Sequence, residues 1–189
     1  PLTVTLDALN AKLDLLNEKC IVNHSCYFGA TNNNYTEFDK LDKHRVCGIK
    51  LFMGSSTGNM LVDKMNSLLN IFNGTDMLIA AHCEDQETIK NNIEKYKQKY
   101  KGADDIPVSA HPSIRSVPAC YASSELAVRL AKIAGARLHI LHVSTAKELQ
   151  LFSDEPLASK NITAEACVAH LLFTLTHYNS LGTRIKCNP

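Results

Sequence analysis

The sequence predicts an α/β fold built on a parallel sheet, and three observations predict it. The apolar pattern switches back and forth between a helical period and short strand-like runs. Nearly all of those runs are apolar on both faces, as in a sheet covered by helices. Turn residues, such as Asn73-Gly74 and Gly135, fall where the period changes. Strands alternating with helices imply βαβ units. A doubly wound sheet and a (β/α)8 barrel satisfy this pattern equally.

Element by element, Leu6, Leu9, Leu13 and Leu16 recur at helical spacing and predict an amphipathic helix near Thr5–Lys19. Ile21–Gly29 reads as a strand closed by glycine, and Val46–Met53 as a second, ended by the loop Gly54-Ser55-Ser56-Thr57-Gly58. Leu61, Met65, Leu68 and Phe72 restore the helical period until Asn73-Gly74 stops it. Met77–Ala81 is a short strand, followed by a helix through Ile89, Ile93, Tyr96 and Tyr100 with Asp85 as its N-cap. The next helix, about Pro118–Ala134, is stopped by Gly135. Leu138–Val143 is again a strand, and Thr145-Ala146-Lys147-Glu148 fits a capping box opening a short helix. Ile162–Cys167 and Arg184–Cys187 complete the predicted strands.

Composition narrows the function classes. Hydrophobic residues make up 45% and charged residues 21% of the 189 residues, an ordinary globular balance. A formal charge of +1 gives no basic excess for a polyanion, so nucleic acid is not an expected partner. The Lys-rich stretch Lys90–Lys101 reads as the solvated face of a helix. No apolar run approaches the ~18–20 residues of a membrane span, and no signal peptide opens the chain. Seven scattered cysteines without C-x-x-C spacing point to a reducing, cytoplasmic setting. Asn-x-Ser/Thr triplets such as Asn73-Gly74-Thr75 carry no meaning there.

The chemistry shows at the C-terminal ends of the strands, where α/β proteins place their sites. Lys50 lies inside Gly48-Ile49-Lys50-Leu51-Phe52-Met53. A buried ammonium costs several kcal/mol unless it is paired or becomes neutral. Such a lysine can pair with a carboxylate or reach past the strand end. It can also, once neutral, add carbon dioxide and become a carbamate that bridges two metals. His82 ends the third strand, and His139 and His142 fall in the fourth. A lone histidine on a strand is more often a hydrogen-bonded core residue, but imidazoles at successive strand ends suit a metal. His139 and His142 are three apart and so face opposite ways on an extended strand. His142 is the one expected in the site, and His139 the structural one.

Taken together, Gly48–Gly58, Ala81-His82-Cys83-Glu84-Asp85, His111-Pro112-Ser113-Ile114-Arg115-Ser116, Leu141-His142-Val143-Ser144-Thr145, Ala164-Glu165 with His170-Leu171, and Lys186-Cys187-Asn188-Pro189 resemble the dihydroorotases of the amidohydrolase superfamily. The ordered set spans essentially the whole chain. The resemblance implies a (β/α)8 barrel with two zinc ions, bridged by a carboxylated Lys50, with His82 and His142 as further metal ligands and Asn188 as a substrate contact. It implies reversible cyclisation of N-carbamoyl-L-aspartate to L-dihydroorotate in pyrimidine biosynthesis. Zinc would lower the pKa of bound water toward ~7 for attack on the ring amide, and a carboxylate would carry the proton to the leaving nitrogen.

The implied set is incomplete. The family's His-x-His pair and Arg from the first strand have no counterpart, nor has the metal-binding, proton-carrying Asp of the last strand. Ala169 stands where many relatives have a second His beside His170. The expectation is therefore a contiguous portion of one catalytic barrel domain, residues 1–189, lacking the first two strands and the last, and inactive by itself. The expected partner is a small-molecule substrate, with a homodimer common in the family. Two alternatives remain: a cyclic-amide hydrolase of allantoinase or dihydropyrimidinase type, and a non-catalytic scaffold that keeps the barrel.

Overall fold

The computed structural model describes residues 2–54, 58–102, 104 and 106–189. The loop residues Ser55, Ser56 and Thr57 of the predicted Gly54–Gly58 turn lie outside that set. Five strands, β1 (Cys26–Gly29), β2 (Val46–Phe52), β3 (Ile79–His82), β4 (Leu138–Ile140) and β5 (Ile162–Ala164), form one sheet in the order β1-β2-β3-β4-β5. Every neighbouring pair is parallel. The helices are α1 (Leu6–Lys19), α2 (Met65–Asn73), α3 (Gln86–Tyr100), α4 (His111–Ile114), α5 (Val117–Ala134), α6 (Val168–Leu172) and α7 (Tyr178–Leu181).

Local chemistry sets the ends of the main helices. Thr5 caps α1 by accepting from Ala8 N at 3.2 Å, and Asp85 caps α3 by accepting from Thr88 N at 2.8 Å. Gly135 ends α5 in a left-handed conformation, φ 65°. The capping box at Thr145 and Glu148 forms, and the helix it opens, residues Ala146–Leu151, is 3-10.

The core lies on one side of the sheet. Ile49, Leu51, Ile79, Ala81, Leu138 and Ile140 are at most 1% exposed. They pack against Leu9 and Leu13 of α1, Leu68, Ile71 and Phe72 of α2, and Ala127, Val128 and Ala131 of α5. The register puts Gly29, Lys50, Ala80, His139 and Thr163 in one row across the five strands, on the opposite face. This decides between the two folds the sequence allowed. A doubly wound sheet reverses its strand order from a central strand and carries helices on both faces. Here the order is sequential and the packed core lies on one face, the arrangement of a (β/α) barrel segment.

Phe28, fully buried, meets Phe38 edge-on with ring centres 6.1 Å apart. Phe28→Ala should cost about 3–5 kcal/mol of stability, the usual penalty for emptying a buried aromatic position. Chemical denaturation reads this directly, and a loss below ~1 kcal/mol would place Phe28 outside the core.

Several expected boundaries shift. The first strand begins at Cys26, not Ile21, because β2 offers no partner before Val46, which pairs with Cys26; Ile21 is left fully exposed. The second helix begins at Met65, because Leu61 bridges to Phe52 in extended form and Asn32 binds the Leu61 carbonyl and the Asp63 carboxylate. The expected strand Ile162–Cys167 ends at Ala164. Arg184–Cys187 is not a strand: Gly182–Ile185 is 3-10, and the Cys187 carbonyl accepts from His111 Nε2 at 2.7 Å, away from the sheet. No described helix is long and apolar enough to cross a membrane.

Candidate active site

His82 ends β3 on the face of the sheet that carries Lys50, since Phe52 pairs with His82 and Lys50 with Ala80. Its ring lies 5.8 Å from that of Phe52. His142 lies two residues beyond the end of β4, with φ 40°. That left-handed turn carries the ring back across the strand end, so that His142 Nε2 comes within 2.9 Å of His82 Nδ1. A left-handed backbone costs a non-glycine residue roughly 1–3 kcal/mol and persists only where its surroundings impose it.

Behind His82 stands Glu84, which is fully buried. Glu84 Oε2 lies 3.0 Å from His82 Nε2 and also accepts from Arg115 Nη1. Burial alone would raise the Glu84 carboxyl, yet the hydrogen bonds from His82 and Arg115 outweigh it and hold the group below the ordinary carboxylate value. Burial pushes His142 down to about 4, with the charges of His82 and Lys50 adding to the effect, so its ring is neutral at pH 7.

Lys50 is half-buried. Its amine rests 3.9 Å above the Phe52 ring centre and 3.4 Å from the Leu51 carbonyl. Desolvation lowers it to about 8, against the opposing pull of Cys83 and Glu165. About a tenth of such an amine is neutral at pH 7, the form whose lone pair attacks carbon dioxide. The two histidines thus meet, and Lys50 lies within electrostatic reach of His142.

His139 departs from its expected position. The register pairs it with Ala80, on the same face as Lys50, where Nδ1 meets Thr163 Oγ1 at 2.8 Å and Nε2 meets Glu165 Oε2 at 3.2 Å. The period-two rule fails between His139 and His142 because the strand stops at Ile140 and the chain then turns. Asn188 lies between Cys187 and Pro189, both on the wall of a cavity of about 380 Å³ that Arg115, Ser144 and His170 also line. His24 and His177 are exposed and engaged locally, with Asn17 and Thr174.

Three residues around the site escaped the sequence reading of roles. Glu84 and Arg115 stood only as parts of motifs. His170, whose Nδ1 lies 3.4 Å from Ser144 Oγ and whose buried Nε2 lacks a hydrogen-bond partner among the described residues, was noted only beside Ala169. A carboxylate two residues after a strand-end histidine was the available signal for Glu84.

These side chains suit a metal as part of its ligand set. Two nitrogens on one tetrahedral zinc, each at ~2.0–2.1 Å, stand about 3.3 Å apart, close to the 2.9 Å between His82 Nδ1 and His142 Nε2. A carboxylate on the far nitrogen is the usual support of a metal-binding imidazole, and Glu84 supplies it. The buried His142 Nδ1 has no hydrogen-bond partner among the described residues. Among the described residues no group of three or more His, Cys, Asp or Glu gathers to hold a metal, so these residues supply only a fraction of a coordination sphere.

No family model matches the chain. Allantoinase of Escherichia coli (strain K12) is 25% identical over 201 residues, covering 100% of this chain and 43% of the relative. Allantoinase of Escherichia coli (strain SMS-3-5 / SECEC) matches to the same extent. The chain therefore spans less than half the length of these curated relatives. Among solved structures, the L-hydantoinase (dihydropyrimidinase) from Arthrobacter aurescens superposes with a TM-score of 0.87 at 24% identity, over 99% of this chain and 42% of that one. The dihydropyrimidinase from Brevibacillus agri NCHU1002 gives 0.74 at 16% identity, over 94% and 40%. The chain is thus similar in sequence to part of the allantoinases, and its five parallel strands have the fold of a barrel segment of the L-hydantoinase.

Proposed function

We propose that this chain is part of the catalytic barrel of a metal-dependent cyclic amidohydrolase that opens a ring of the allantoin or hydantoin/dihydropyrimidine type. The observation that carries the proposal is the convergence of His82 Nδ1 and His142 Nε2 at the C-terminal edge of a parallel sheet. The names of the relatives favour these rings over dihydroorotate, the substrate that the sequence motifs suggested.

In this reading His82 and His142 bind zinc through the two nitrogens that face each other, and Lys50, as a carbamate, adds an anionic oxygen. Bound zinc supplies a lowered water pKa, toward ~7, and polarisation of the ring carbonyl. Glu84 fixes the His82 ring, and neutral His142 would offer Nε2 to zinc once its hydrogen moves to Nδ1, which has no hydrogen-bond partner among the described residues. Asn188, on the cavity wall segment, contacts the substrate.

The test is turnover of allantoin, hydantoin, dihydrouracil and dihydroorotate by the zinc-loaded intact protein. Hydrolysis of one of the first three at least ten times faster than dihydroorotate is expected. Preference for dihydroorotate would restore the dihydroorotase reading, and failure to hold zinc or turn over any ring would favour a scaffold.

A further inference from the structure

We propose that Arg115 is a positioning residue for this site: by holding Glu84 it fixes the orientation and tautomer of His82, and so aims His82 Nδ1 at His142. The proposal rests on the reading of His82 and His142 as zinc ligands, but its first test needs no metal.

The backbone that carries Arg115 is clamped on both sides. Arg115 N donates to the His111 carbonyl at 2.9 Å, closing α4. Asn92, from α3, donates to the Ile114 carbonyl at 3.0 Å and to Ser116 Oγ at 3.2 Å, one residue before Arg115 and one after it. The Arg115 side chain is 15% exposed and reaches a carboxylate with no exposure at all.

The Glu84 backbone has little freedom of its own. A Cβ built on Gly54 would lie 2.8 Å from Glu84 Cβ and 2.9 Å from its N and O, so the two segments are in direct contact. What remains free is the Glu84 rotamer, and the guanidinium sets it. A guanidinium does not lose its proton, and a carboxylate beside it is an acceptor only. The hydrogen between Glu84 Oε2 and His82 Nε2 must then sit on the histidine. In the neutral ring His82 Nδ1 then keeps its lone pair, and the contact with His142 is closed by a hydrogen donated from His142 Nε2.

The order of donors is therefore set from one end: Arg115 to Glu84, His82 to Glu84, His142 to His82. Zinc needs the lone pair that this order leaves on His82 Nδ1. Without Arg115 the carboxylate loses the donor that fixes its rotamer. The His82 ring is then free to turn, and its two nitrogens compete for both partners.

The experiment is long-range proton–nitrogen NMR of the histidine rings in the metal-free intact protein, paired with zinc affinity by chelator competition. Wild type should show His82 as the Nε2–H tautomer. Arg115→Met should give mixed His82 tautomers and lose about 10–100-fold in zinc affinity, the usual cost of removing support behind a ligand. Arg115→Lys should recover part of both losses, which a purely structural role would not require. Wild-type tautomer and twofold-unchanged zinc affinity in Arg115→Met overturn the proposal, as does His82 found as Nδ1–H in wild type. If Arg115→Met fails to fold, Arg115→Lys and the wild-type spectrum decide. Absence of zinc binding by wild type overturns the metal reading alone, since the tautomer spectra still score the effect of Arg115 on His82.

Discussion

Gly48→Ala is expected to cost about 3–5 kcal/mol of stability, summing backbone strain, overpacking and a weakened ladder bond. Gly48 lies in β2 opposite Tyr27, beside the irregularity in register between Cys26 and Tyr27. Its φ is 159°, and a Cβ there would stand 2.4 Å from the Leu78 carbonyl oxygen and 3.4 Å from its carbon. That oxygen is not free to retreat, because it accepts from Ile49 N at 2.8 Å in the middle of the sheet. A whole domain is stable by only ~5–15 kcal/mol, so this one methyl removes a large share of it. The effect should spread to the site as well, since Lys50 stands two residues further along the same strand. The urea midpoint measures the loss. A shift equivalent to less than ~1 kcal/mol would show that β2 and β3 can part at this point without penalty.

The second large effect concerns His142. His142→Ala and His142→Gly should both reduce zinc affinity by more than the 10–100-fold lost when a supporting group is removed, and with it the turnover of the cyclic amide. The two variants should part in stability. Alanine inherits the left-handed backbone at φ 40° and its strain, whereas glycine adopts it freely. His142→Gly should therefore be more stable than His142→Ala by about 1 kcal/mol in the metal-free state. The comparison cancels the lost ring, which is absent from both. Equal stability would mean that the turn relaxes once the ring is gone. Undiminished zinc binding by either variant would remove His142 from the ligand set.

Much of this protein was legible in its sequence because the relevant signals are local. Periodicity and caps placed α1, α3 and α5, and their ends follow from Thr5, Asp85 and Gly135. The polar residues that interrupt apolar strands marked Lys50, His82 and His142, because a charge or imidazole within a buried run needs a reason. The barrel-like arrangement was not legible from the pattern of elements: the same alternation builds a doubly wound sheet, and only the sequential strand order decides. Nor could periodicity place His139 and His142, since the rule that relates them assumes a strand that continues past Ile140. The left-handed turn at His142 puts both on the site's side of the sheet. Glu84 and Arg115 are 31 residues apart in the chain, and their pairing is a consequence of how α4 packs on α3. The sequence by itself determined which residues were chemically out of place in their strands. Tertiary packing decided which of them meet, because a contact between distant segments depends on where each strand stops and how the chain turns next.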